Sequence, residues 1–331
     1  MHVATLSMNR LVLLAVLALV PWQGGSALAQ RSLAKSLSIK DLGLGMPKKP
    51  ETPFEAEWTI EAGAVLLHRS RSSSVVLANT DVPADGDVFN ASDLKFGAEW
   101  GPYFSLSKRV FGAVRGEILY FGVYDWDAAS SVENGGGITT GVFDAGPVVF
   151  DRMDVHYSSG LDNLEINTCY PFLGRLEWIL GFRWTGIDEH STTLWDGRTG
   201  GADFASAAAW AKNDLYGMQL GVDGPLWQPS ARFHLDGTVK ACVATNRVST
   251  GRDVTGTIET FLSDRRSVTR TSMLLEVGLM GRFDLTQHFI LGAGYHLLWV
   301  DGIASGFSSL GGQGANSVLF HGLRATIEAR W

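Results

Sequence analysis

No stretch of this 331-residue chain holds 18 uninterrupted apolar residues. A helix crossing a bilayer needs about 20, so none is expected. Positive charge is not in excess: 27 Lys+Arg stand against 34 Asp+Glu, a net charge of −7. Nothing in that balance suggests a nucleic-acid partner. Cysteine is nearly missing. Cys169 and Cys242 are the two present; an oxidising compartment would let them pair, but the strands assigned below are not adjacent, so free thiols are expected. The chain also lacks Gly-x-Ser-x-Gly, His-Glu-x-x-His and any paired-cysteine motif, the usual marks of a nucleophilic or metal-dependent hydrolase. No cofactor and no bound metal are implied, and the chain is not expected to be an enzyme.

What is present begins with a targeting signal. Arg10 precedes an apolar run at residues 11–20, followed by Pro21, glycines and Ala27-Leu28-Ala29 before Gln30. A charged start, a short apolar core and small residues at a cleavage site describe a secretory signal over residues 1–29. Residues 30–53 are polar and carry Lys48-Lys49 between prolines. They read as a flexible periplasmic leader, with room for a short helix within 33–44.

The stretch 159–189 organises the rest. It reads as two strands joined by a turn at 171–174. Asn163, Glu165 and Asn167 alternate with Leu164, Ile166, Thr168 and Tyr170; Arg175, Glu177, Gly181, Arg183 and Thr185 alternate with Leu176, Trp178, Leu180, Phe182 and Trp184. Side chains point to opposite faces with period two. One face is therefore rich in Trp and Phe and the other in Arg and Glu, as in a barrel wall with lipid outside and a polar lumen inside.

The pattern recurs. Ten strand candidates fall at 54–68, 93–107, 110–124, 158–170, 175–189, 212–227, 231–248, 270–284, 288–302 and 317–331, each long enough for a tilted transmembrane strand of about 9–11 residues. Long connections (69–92, 125–157, 190–211, 249–269, 303–316) alternate with short turns (108–109, 171–174, 228–230, 285–287). Long loops on one side, short turns on the other and an even strand number are the habit of outer-membrane barrels. The fold expected for 54–331 is all-β: a transmembrane antiparallel up-and-down β-barrel of ten strands, or twelve if 141–155 adds a hairpin. Many of the 39 glycines sit inside the alternating segments, where they would allow curvature and close strand approach.

The faces sort as well. Leu94, Phe96, Ala98 and Trp100, Tyr216 to Val222 by twos, and Phe289, Leu291, Tyr295, Leu297 and Trp299 are placed outward; Lys95, Glu99, Gln219, Arg232, Asp236, Lys240, Glu276 and Arg282 are placed inward. An Arg or Lys facing lipid at mid-depth costs about 2–4 kcal/mol, which makes this sorting a constraint. One aromatic per strand falls near the periplasmic end: Trp58, Phe104, Phe111, Tyr170, Trp178, Trp227, Phe233, Phe283, Phe289 and Trp331. An interfacial girdle requires such a set. Phe111 and Trp227 break the alternation, so a bulge or an inward ring is needed there. The closing Ile327, Ala329 and Trp331 share a face, the form of terminal strand that barrel-assembly machinery reads.

The segments 159–167, Leu180-Gly181-Phe182-Arg183-Trp184 and 213–221, with the closing Leu319-Phe320-His321-Gly322-Leu323, resemble the β-barrel porin-7 family of outer-membrane proteins. The resemblance spans most of 54–331. It implies an outer-membrane location and a porin, and supplies no catalytic residues.

Eight strands are just filled by side chains, whereas 16–18 leave an aqueous channel, so ten fall near the filled end. Arg115, Glu117, Glu165, Glu177, Arg183, Arg324 and Glu328 are expected to line the lumen and pair across it. The function expected is a porin-like outer-membrane barrel, structural or passing ions and small solutes through a narrow polar lumen, with outer-membrane lipid and the assembly machinery as its partners. Two alternatives stand. The long loops, with Trp126, residues 135–137, Phe143, Trp195 and Trp210, suit surface adhesion or ligand capture. Asp188-Glu189-His190, with His68 and His156 in other outer loops, is the remaining hydrolase candidate, since His beside carboxylates activates water.

Overall fold

The computed structural model describes residues 56–70, 76–80, 87–139, 149–172, 175–197, 204–257, 262–307 and 316–331. The signal, the leader and Phe143 lie outside these. Twelve antiparallel strands form in chain order: β1 (Trp58–Arg69), β2 (Val76–Thr80), β3 (Asp87–Asn90), β4 (Ala98–Phe111), β5 (Val114–Thr139), β6 (Val149–Pro171), β7 (Glu177–Gly197), β8 (Phe204–Trp227), β9 (Phe233–Gly256), β10 (Leu262–Asp284), β11 (Phe289–Ile303) and β12 (Asn316–Arg330). Ten close into a ring. Each long strand pairs with the next, β5 pairs with β6, and β1 pairs with β12 from Thr59↔Arg330 to Arg69↔Phe320. Closure leaves the lower wall no unpaired edge. The ten-strand up-and-down barrel is therefore as expected.

The two extra strands are not where a twelve-stranded wall would have put them. Residues 125–139 and 149–157 continue β5 and β6 instead of adding a hairpin, while β2 and β3 form a small hairpin inside the first long connection. β2 touches the wall where Asn79 and Thr80 pair with Thr139 and Ile138 at the tip of β5.

Wall height is uneven. β5 to β10 run 21 to 26 residues, whereas β1, β4, β11 and β12 run 12 to 15. Loops expected at 190–211 and 249–269 are largely strand. The first reversal lies at residues 112–113, not 108–109, and Gly112 takes a positive φ of 57° there.

Alternation along β6 and β7 is clean: Asn163, Glu165, Asn167, Arg183 and Thr185 are buried inside, and Ile166, Tyr170, Trp178, Leu180 and Phe182 are exposed outside. On β7 the outer face turns polar after Gly186, at Asp188 and His190; on β8 it is apolar from Tyr216 down to Trp227. Trp184 and Tyr216 pair across these strands and mark the same height. The apolar belt is thus about as tall as a tilted strand needs to cross hydrocarbon. Above it, β5 to β10 continue with mostly polar outer faces, interrupted by exposed Leu194 and Phe204.

Most of the girdle is present, with Phe111, Tyr170, Trp178, Trp227, Phe283, Phe289 and Trp331 exposed at the short-turn end and Trp58 and Phe233 half-buried. Phe104 is exposed higher up, level with Tyr120 and, through Leu164, with Trp184, and Phe111 closes β4 rather than opening β5. Pairing shifts register between Arg109 and Phe111 and again between Pro225 and Trp227. These bulges re-aim the two rings that broke the alternation.

Two face assignments are corrected. Leu94 and Phe96 are buried inside, and Lys95 is exposed. Their alternation imitates an outward strand, but the segment precedes β4 and folds inward after a 3-10 turn at Ala91–Asp93. Arg232 is exposed in the turn after β8 rather than inside. Cys169 on β6 and Cys242 on β9 are both buried free thiols.

Candidate functional site: a lumen closed at two levels

The wall's alternation delivers inward side chains in layers. At the short-turn end Arg282 of β10 meets Asp236 of β9 at 3.0 Å and Glu61 of β1 at 3.6 Å, and also pairs with Glu328 of β12. Arg330 pairs with Glu328 as well, and Thr326 donates to Glu61 at 2.7 Å. Around the ring, Arg115 of β5 meets Glu117 at 2.7 Å and Glu177 of β7 at 2.8 Å.

At mid-depth two cations and two carboxylates form a crossed quartet. Lys240 Nζ lies 2.9 Å from Glu165 and 3.1 Å from Glu276. Arg183 lies 2.8 Å from Glu276 and 3.6 Å from Glu165. Glu165 on β6 and Lys240 on β9 are three strands apart around a ten-strand ring, as are Arg183 on β7 and Glu276 on β10. Such pairs cross the lumen instead of running along its wall. Their side chains are at most 5% exposed. Gln219 donates to Glu165 at 2.7 Å and to Asn167 at 2.6 Å; Arg183 donates to Asn163 at 2.6 Å, and Asn163 to Glu165 at 3.1 Å. Charges this deeply buried need both a counter-charge and hydrogen bonds, and here they have both.

Of the seven expected lining residues, Glu165 and Arg183 belong to this quartet, and Arg115, Glu117 and Glu177 form one lower cluster. Glu328 belongs to the other. Arg324 makes no direct ion pair among the described residues; its guanidinium lies over the Tyr103 ring at 4.7 Å. Lys240, Glu276, Arg282 and Asp236 hold the clusters together yet were placed only as inward residues, and Glu61 was missed. Their inward parity was legible, but the partner three strands away was not.

A second closure sits above the apolar belt. Near the end of β11 the chain turns inward at Gly302, whose φ of 81° favours glycine. Residues 302–307 are all buried. Six wall residues hold them. Ser272 and Asn246 donate to Gly302 O at 2.8 and 3.1 Å. Asn213 clamps Ala304 both ways, accepting from its N–H and donating to its carbonyl, each at 2.8 Å. Gly306 N–H donates to Glu189 at 2.9 Å and to the Tyr157 hydroxyl at 3.0 Å, and Ser191 donates to Gly306 O at 3.4 Å. Arg69 and Tyr157 both donate to Glu189, and the Arg69 guanidinium lies 4.5 Å from the Phe96 ring centre. Burial, then the neighbouring Glu189 carboxylate, holds the Tyr157 phenol well above its ordinary pKa, so it stays a donor. Around this plug, and with its own Phe307, Leu77, Phe89, Leu94, Phe96 and Trp126 pack as an apolar core. No periodic signal announced 302–307. The available hint was a set of inward polar residues above the belt, Glu189, Asn213 and Asn246.

The hydrolase candidates do not converge. Glu189 is fully buried inside, whereas Asp188 and His190 are exposed outside on the same strand. His68 lies outside, stacked on His321 at 5.5 Å, and His156 lies outside, 3.6 Å from Asp127. Among the described residues no three His, Cys, Asp or Glu side chains gather in a metal-binding group. Trp126 and Trp195, read as loop recognition residues, are buried on strands β5 and β7. Trp210 is half-buried on the outer wall of β8.

No family model matches the chain, and no curated protein does. The porin-7 resemblance therefore rests on short motifs alone. Among solved structures, outer-membrane barrel proteins are similar. The outer membrane protease OmpT from Escherichia coli aligns with a TM-score of 0.49 at 10% identity, over 86% of this chain and 99% of its own. The translocator domain of the autotransporter NalP from Neisseria meningitidis aligns at 0.43 and 9%, over 92% and 96%. The toluene transporter TodX from P. putida aligns at 0.32 and 8%, over 85% and 91%. At these values the fold rests on the strand ring itself.

Proposed function

We propose that this chain is an outer-membrane barrel, porin-like in build, whose lumen is closed at rest. Its role is structural, with passage of ions or small solutes limited to moments when both closures loosen. The crossed quartet of Glu165, Arg183, Lys240 and Glu276 carries this reading, because it fills the lumen at mid-depth with neutralised, hydrogen-bonded charge. No catalytic role is assigned. Outer-membrane lipid is the partner of the apolar belt, and barrel-assembly machinery that of β12 and Trp331.

Liposome swelling tests the reading. Vesicles carrying the wild-type chain should resist entry of small sugars. Vesicles carrying Lys240→Ala/Glu276→Ala together with Asn213→Ala should admit them faster. Rapid entry through the wild type would contradict the closed state. A second reading, attachment at the cell surface, is favoured by the polar wall that β5 to β10 raise above the belt; deletions within that wall would then abolish attachment while the barrel still folds.

A further inference from the structure

The uneven wall leaves β5 and β10 half-dressed towards the top; β2 meets β5 near its tip, whereas no described strand meets the β11 side of β10 there. β10 pairs with β9 from Leu262↔Val254 down to Phe283↔Phe233. On its other side β10 pairs with β11 only from Met273↔Asp301 downward. Above that height β11 has turned inward at Gly302 and stays tied to β12 through Ile303↔Asn316. Residues 263–271 therefore present an unpaired backbone edge among the described residues. At about 3.3 Å per residue this edge is roughly 30 Å long.

We propose that this edge is a docking site for an extended, acidic polypeptide segment of a partner protein, added to the wall as one further strand. An open edge offers main-chain donors and acceptors at strand spacing, and strand addition uses them for affinity while side chains select the partner. Here the side chains are exposed on both faces: Arg265, Arg266, Val268 and Thr269 are exposed and Arg270 is half-exposed. Asp264 meets Arg266 at 3.1 Å, whereas Arg265 and Arg270 have no ion-pair partner among the described residues. The edge thus keeps a positive surplus within reach of any strand laid beside it. Like charge on a second copy's β10 would repel it, which is how natural edges avoid self-pairing. An acidic strand meets attraction instead. The edge also stands above the apolar belt, since Trp299, near the top of the belt, pairs with Leu275, so water and soluble segments reach it.

The test uses the full chain folded in detergent and a fluorescent ten-residue peptide alternating glutamate with threonine. A second peptide keeps the glutamates but alternates them with proline, which cannot donate to a ladder. Anisotropy should show the proline peptide binding at least tenfold more weakly. The variant Arg265→Ser/Arg266→Ser/Arg270→Ser, checked for folding by heat-modifiable gel migration, should lose at least tenfold for the threonine peptide. Hydrogen exchange with that peptide bound should slow amides within 263–271. Equal binding of the two peptides, no binding, or protection elsewhere overturns the proposal, and the peptide comparison decides on the wild type even where the variant fails to fold. A concentration-dependent dimer of the wild type that the arginine variant lacks would assign the edge to a second copy and overturn it too.

Discussion

Lys240 and Glu165 meet at 2.9 Å although β9 and β6 are separated by two intervening strands. Glu276, 3.1 Å from the same ammonium, fixes it from the other side. Replacing Lys240 with methionine leaves two buried carboxylates facing each other. Loss of one partner of a buried pair costs about 3–5 kcal/mol, so Lys240→Met should unfold in detergent at a much lower denaturant concentration than wild type. Adding Glu165→Gln should recover part of the loss, read as a non-additive double-mutant cycle.

The plug offers an independent handle. Asn213→Ala leaves the N–H and carbonyl of Ala304 without their clamp. Unsatisfied buried groups cost about 1–3 kcal/mol each. Hydrogen exchange across 302–307 should accelerate in this variant, while the lower strands stay as protected as in wild type.

Alkali should act on the same closure. The Tyr157 pKa is raised in the folded chain, so its proton is held where an unfolded tyrosine, with a pKa of about 10, releases it. The stabilisation is fully present below about pH 10 and is lost as pH rises towards the folded value. Protease resistance near the plug should fall above pH 10 in wild type. Tyr157→Phe should flatten that dependence while losing the bond to Glu189 at every pH.

Lipid contact is testable on two neighbouring strands. Leu220 is exposed on the outer face of β8 within the belt, whereas Thr192 is exposed on the outer face of β7 above it. An arginine in the belt costs about 2–4 kcal/mol at mid-depth. Leu220→Arg should lower stability in bilayers by that order, and Thr192→Arg should change it little. Equal effects would argue against lipid around the belt.

How much of this was legible in the residues follows from contrast between faces. Along Asn163, Glu165 and Asn167 against Leu164 and Ile166, polarity changes at every step, and both the strand and its faces read correctly. The misfits at Phe111 and Trp227 correctly demanded irregularity, and bulges are found there. Above the belt the contrast vanishes. Residues 205–209 of β8 are alanine apart from Ser206, and 263–271 of β10 are polar apart from Val268, so these strand extensions read as loops. Leu94 and Phe96 failed in the opposite way, showing contrast without belonging to the wall. The plug at 302–307 is small, short and aperiodic, and its bonds come from six residues as far away as Tyr157, which no local pattern can announce.

Single-channel recording in planar bilayers bears most directly on the closed lumen. The purified wild-type chain should insert and show no steady conductance, while the variant lacking both Lys240 and Glu276 side chains and the Asn213 clamp should show openings. A steady, voltage-independent open state in the wild type would contradict closure by the quartet and the plug.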